Sequence, residues 1–185
     1  MADLILEPAP FFGGYAESFG ATRLEEATGF ALVSLAAPRG GEDALAAAVK
    51  SAWGCDLPAH GQSTKGAGVT LLTTTADQYF AMLAGGEDLA SRMVADTLGG
   101  AAYVTDQTDN WAALRLSGPL AAPALERICP LDLAAIPPGG VARTVMEHLG
   151  VIMVREAEDR FLLMTISSAA GSFLHAVEMS VKNVA

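Results

Sequence analysis

Residues 149–166 read LGVIMVREAEDRFLLMTI, two apolar runs of strand length (149–155 and 160–166) on either side of the charged residues 156–159. Runs this short and this rich in large apolar side chains, broken by a polar turn, predict a β-hairpin. A third strand, 141–146, precedes it, after the loop Pro137-Pro138-Gly139-Gly140. On the other side Ser167 or Ser168 is placed to cap a terminal helix that turns Ala170, Phe173, Val177 and Val181 inward.

Upstream, residues 111–116 predict a strand with Ala112, Leu114 and Leu116 on one face. Ser117-Gly118-Pro119 reads as a helix start, a hydroxyl able to cap followed by a proline in the first turn. Leu120, Ala124, Leu125 and Ile128 give that helix its apolar face, and Pro130 blocks its continuation. The polar turn 106–110 separates this half from an earlier one. There, residues 28–36 predict a strand, and Glu42-Asp43 open a helix with Leu45, Val49 and Trp53 inward and Gly54 as its stop. Residues 55–68 read as a loop, 69–73 and 78–83 as strands. Glu87-Asp88 open a second helix with Leu89, Met93 and Leu98 inward and Gly99-Gly100 at its end, and 101–105 is a further strand. The order β-α-β-β-α-β is that of ferredoxin-like units. The expected fold is therefore α+β, a single domain over 28–185 with two ferredoxin-like lobes at about 28–106 and 107–185. Residues 1–27 are expected to form an extended arm, its Phe11, Phe12, Tyr15 and Phe19 lying against a surface of this chain or of a neighbour.

The chain has 185 residues, 51% of them hydrophobic, with a mean hydropathy of +0.35, ample for one core and some apolar surface besides. Eleven basic against 21 acidic side chains give a net charge of −10, a field that repels phosphate and argues against nucleic acid or an anionic membrane as partner. No apolar stretch approaches the roughly 20 residues that span a bilayer, and Met1-Ala2-Asp3 lacks the basic start of a secretory signal. Cys55 and Cys129 are expected to be reduced thiols in a cytoplasmic protein.

No stretch of the sequence converges on a reaction centre. His60, His148 and His175 have no ligand residues at metal-site spacing and are read as solvated or locally bonded. Ser172 and His175 share a helix face, but no nucleophile elbow or oxyanion loop accompanies them. Gly66-Ala67-Gly68 precedes a strand, whereas a dinucleotide fingerprint follows one and opens a helix. Cys129 reads as a small hydrophobe, Asp106, Asp109 and Asp132 as turn-forming, and Arg143 as an exposed cation on an alternating strand, with an interface contact as the second choice. No catalytic, cofactor-binding or metal residue is assigned.

The second half also resembles a known family. Asp106-Gln107-Thr108, Leu114-Arg115-Leu116-Ser117-Gly118-Pro119, Cys129-Pro130-Leu131-Asp132-Leu133, Gly139 with Arg143-Thr144, Asp159-Arg160-Phe161-Leu162-Leu163 and the helix from Ser168 follow the order seen in the gamma subunits of heterotetrameric sarcosine oxidase. The first half follows the family mainly in element order and in the hairpin around Asp77-Gln78-Tyr79, and the sequence departs from the pattern at Thr75-Ala76 and Ser167-Ser168. The resemblance implies an aminomethyltransferase-type, folate-binding-like fold. It also implies a non-catalytic subunit that supports oxidative demethylation of sarcosine to glycine. FAD, FMN, NAD and tetrahydrofolate would then sit on other subunits, and the partners would be the larger alpha, beta and delta chains. The N-terminal arm and the loop 137–140 are the expected contact elements. The alternatives are an independent folate-binding or one-carbon transfer protein and, last, a hydrolase using Ser172 and His175.

Overall fold

The computed structural model describes residues 9–75, 77–85 and 89–185. In chain order its elements are β1 (Ala16–Phe19), β2 (Thr22–Glu26), β3 (Phe30–Ala36), α1 (Glu42–Trp53), β4 (Ser63–Gly66), β5 (Val69–Thr73), β6 (Gln78–Ala84), α2 (Ala90–Leu98), β7 (Tyr103–Asp106), β8 (Trp111–Ser117), α3 (Ala121–Glu126), β9 (Val141–Met146), β10 (Leu149–Ala157), β11 (Arg160–Ile166) and α4 (Ala170–Lys182). The 149–166 hairpin is β10–β11, paired from Val151↔Thr165 to Ala157↔Arg160 with a bulge between Arg155 and Ala157.

The strands form two antiparallel sheets, ordered β4-β5-β6-β3-β7 and β1-β2-β8-β11-β10-β9. These orders superimpose: β3, β4, β5 and β6 correspond to β8, β9, β10 and β11. The place beside β3 that β7 fills is filled beside β8 by β2, from the opposite end of the chain. Residues 16–26 are therefore not an extended arm. They are a hairpin that completes the second sheet, with β2 covering the edge that β8 would otherwise present unpaired. The residues before it fold back as well: Glu26 accepts the N–H groups of Phe12 (3.0 Å) and Gly14 (2.7 Å), and Phe12, Tyr15 and Phe19 pack on the chain's own core.

Alternation along the strands divides the apolar side chains into three layers of contact. Val33, Leu35 and Leu71 meet Leu45, Val49 and Val94 of α1 and α2 on the outer face of the first sheet. Leu24, Leu114 and Phe161 meet Leu125, Phe173 and Val177 of α3 and α4 on the outer face of the second. Between the sheets Leu32, Leu72 and Phe80 meet Ala113, Ile152 and Leu162. The result is helix, sheet, sheet, helix. Each large side chain so buried contributes about 1.5–3 kcal/mol.

Several local expectations change. Helix α2 buries Ala90, Val94 and Leu98 and leaves Leu89 60% and Met93 48% exposed. At 100° per residue Leu98 lies half a turn from Leu89, so only the 90/94/98 series makes one stripe. Its expected start at Glu87-Asp88 falls outside the described residues. Residues 63–66, read as loop for want of apolar side chains, are the edge strand β4. Its last residue lies so close to α1 that a Cβ on Gly66 would sit 2.6 Å from the Trp53 carbonyl oxygen. Ser117 ends β8 rather than capping α3, and neither Ser167 nor Ser168 caps α4; both lie in a short 3-10 turn ahead of it.

Candidate functional site

The sheets are stitched together at one corner. Ser63 donates to the Gly139 carbonyl through both its N–H (2.9 Å) and its hydroxyl (2.8 Å), Val141 N–H reaches Gly61 O at 2.8 Å, and Gln62 bridges Gly140. Beside this seam the inner faces separate into a furrow. One part, about 500 Å³, runs from Ser63 and Lys65 to Pro138 and Arg160; the adjoining part, about 340 Å³, runs on to Gly29 and Arg115. Lys65, Thr70 and Met82 line both.

The same alternation that builds the core places charge here. Ala113, Val154 and Leu162 face the other sheet, and so do Arg115 and Glu156, two residues after the first pair, and Arg160, two residues before Leu162. Glu156 is the bulged residue of β10, and bulges re-aim side chains. Its carboxylate accepts Arg115 Nε at 2.8 Å and Nη2 at 3.1 Å, while Arg160 Nε lies 3.0 Å from the same Oε2. Across the furrow, from β4, comes Lys65, which pairs with no carboxylate among the described residues. Besides Arg155, whose guanidinium is engaged elsewhere, three cations against one carboxylate line this furrow in a chain whose net charge is −10.

On the other face of the same hairpin Arg155 is buried. Its guanidinium donates to the carbonyls of Leu133 (3.0 Å), Ile136 (2.6 Å) and Glu158 (2.7 Å) and lies 5.5 Å from the centroid of the Phe161 ring. It holds residues 133–136, and with them the loop 137–140 at the end of the furrow.

A second titratable group joins the start of β1 to α4. Tyr15 donates to Glu17 at 2.8 Å, and Lys182 donates to Glu178 at 2.6 Å. Burial first, then the carboxylate of Glu17, pushes the Tyr15 phenol above the ordinary tyrosine range. The Lys182 hydrogen bond holds Glu178 below the usual carboxylate range, and the same contact raises Lys182.

The residues weighed in the sequence scatter. His60, His148 and His175 are exposed, and no three metal-ligating side chains cluster among the described residues. Ser172 and His175 line a shallow depression on α4 with Arg127 and Glu147. Cys55 and Cys129 are buried free thiols. Asp106 and Asp132 make the expected turns, accepting Thr108 N–H at 2.9 Å and Ala134 N–H at 3.1 Å. Asp109 and Arg143 are exposed. Gly66-Ala67-Gly68 turns the β4–β5 hairpin. The Arg115–Glu156–Arg160 network was missed. Its one sequence signal is that Arg115 alternates with Leu114 and Leu116, whereas its partner is 41 residues away.

No protein-family model matches the chain. It is 31% identical over 122 residues to the curated sarcosine oxidase subunit gamma of an Arthrobacter species; the match takes in 64% of this chain and 60% of the relative's length. A chain of heterotetrameric sarcosine oxidase from Corynebacterium sp. U-96, solved in complex with pyrrole 2-carboxylate, superimposes with a TM-score of 0.75 at 25% identity, covering 88% of this chain and 84% of the other. The glycine cleavage system aminomethyltransferase T of Bartonella henselae shares the fold with a TM-score of 0.68 at 15% identity, over 89% of this chain and 53% of that one. The resemblance read from the second half of the sequence thus extends to the fold of both halves. No helix among the described residues is long and apolar enough to cross a membrane.

Proposed function

We propose that this chain is a gamma-type subunit of a heterotetrameric sarcosine oxidase, acting by position rather than by chemistry of its own. What supports the reading is the structural likeness to the Corynebacterium enzyme over 88% of this chain, together with the 31% identity to an Arthrobacter gamma subunit. The larger alpha, beta and delta chains would be its partners and would carry FAD, FMN, NAD and tetrahydrofolate while sarcosine is demethylated to glycine in the cytoplasm. The exposed apolar side chains Leu89, Met93, Tyr103 and Val145 fit a subunit with surface to bury. Permanent interfaces commonly cover about 2,000 Å² or more. Burial of this kind stabilises the assembled state by mass action.

Co-expression of the tagged chain with the larger subunits of a sarcosine oxidase from the same source tests the proposal. The expected result is co-purification in one complex with sarcosine-dependent turnover, and no turnover by the chain alone. Turnover of sarcosine by the isolated chain, or large subunits that ignore it, sinks the reading. Likeness to the aminomethyltransferase is a likeness of fold, which is weak ground for independent folate binding. Saturable binding of tetrahydrofolate by the isolated chain would favour that alternative.

A further inference from the structure

We infer that the furrow between the two sheets is a docking groove for an extended, acidic segment of a partner chain; the inference rests on the subunit reading above. Charge complementarity identifies the occupant. In a protein of net charge −10 this groove pairs Arg115 and Arg160 with its single carboxylate, Glu156, and sets Lys65, unpaired among the described residues, opposite them. The excess of cations over carboxylates in the lining disfavours a basic occupant. The lining also disfavours a small anion. A site for a compact anion converges its donors on one point, whereas here Glu156 already fills the Nε/Nη2 fork of Arg115 and Lys65 stands on the opposite sheet.

The remaining donors are spread along two adjoining cavities of about 500 and 340 Å³ that share Lys65, Thr70 and Met82. That spacing suits carboxylates carried on successive residues of an extended strand. Met82, and Val154 beyond it, give apolar floor for the side chains between them. The Pro138-Gly139 loop forms one end, held by the seam at Ser63. Long-range attraction of this kind guides association and is screened by salt.

The test is co-purification of the tagged chain with its larger subunits at 50 and 500 mM NaCl, comparing wild type with Lys65→Glu/Arg160→Glu and with the milder Lys65→Ala/Arg160→Ala. Thermal melts establish that both variants fold. The expected result is an affinity at low salt weakened about tenfold or more by the reversal and less by the alanines, with the gap narrowing at high salt. Poly-L-glutamate should displace the partners, and free L-glutamate or inorganic phosphate at equal charge should not. Folded variants that assemble like wild type overturn the groove while leaving the subunit reading intact. Equal displacement by the free anions overturns it in favour of a small-anion site. A wild-type chain that fails to assemble at all overturns both.

Discussion

The Thr22 hydroxyl accepts the Leu120 N–H at 2.9 Å across 98 residues of sequence, so the N-terminal hairpin supplies the cap that α3 lacks locally. Thr22 is 1% exposed, which leaves water no route to replace it. Thr22→Val keeps the shape and removes the acceptor; it should cost about 1–2 kcal/mol, read as a lower urea midpoint at unchanged slope. Thr22→Ser should recover most of the loss.

Gly118 sits at the same junction with φ +110°, and a Cβ there would lie 2.5 Å from Ala21 O and 2.8 Å from Thr22 Cα. Both obstacles are backbone, so neither can swing aside. Gly118→Ala should destabilise by at least about 2 kcal/mol and loosen the β2–β8 pairing. Limited trypsin digestion reads this directly, as faster cleavage at Arg23. Unchanged cleavage would show that the hairpin is not held there.

These two contacts mark where sequence reading stopped. Strands with strong apolar runs, such as 149–155 and 160–166, and helices with an unbroken stripe, such as Leu45, Val49 and Trp53, were legible because the period itself reports burial. The 16–26 hairpin was not, since Phe19 and Leu24 are its only large apolar side chains and its place is set by a vacancy beside β8. Ser117 looked like a cap because local hydroxyls usually are, yet the acceptor came from Thr22. The cationic furrow depends on β8, β10, β11 and β4 meeting in space, and no spacing along the chain records that.

Arg155 separates two ways of losing an ion pair. Its side chain is 8% exposed and satisfies three backbone carbonyls, whereas its carboxylate partner Glu158 is 86% exposed. Arg155→Met strips those carbonyls of their donors and should cost about 3–5 kcal/mol. Arg155→Lys should rescue little, because one ammonium cannot reproduce the planar fork. Glu158→Ala should stay within about 0.5 kcal/mol. Equal losses for Arg155→Met and Glu158→Ala in denaturant titrations would place the stabilisation in the ion pair instead.

The Tyr15–Glu17–Glu178–Lys182 group should shape both ends of the stability–pH curve. Burial and Glu17 raise the folded-state pKa of Tyr15, so its contribution is complete below the ordinary tyrosine value of 10.0 and is lost as pH climbs above it. Glu178 is shifted the other way by Lys182; its contribution is complete above the ordinary value of 4.5 and is lost as pH falls through the lowered one. Melting temperatures of wild type should therefore drop more steeply than those of Tyr15→Phe between pH 9 and 11, while the two run parallel near pH 7. Glu178→Gln should flatten the acid limb and also make the alkaline one shallower, because the same carboxylate raises Lys182 and adds to the shift of Tyr15. Lys182, raised by its hydrogen bond to Glu178, also titrates in the alkaline range, but it is present in both proteins, so the difference between the two curves reports the phenol. If the Tyr15→Phe curve parallels wild type through pH 11, the phenol is not held by burial and Glu17 as the geometry requires.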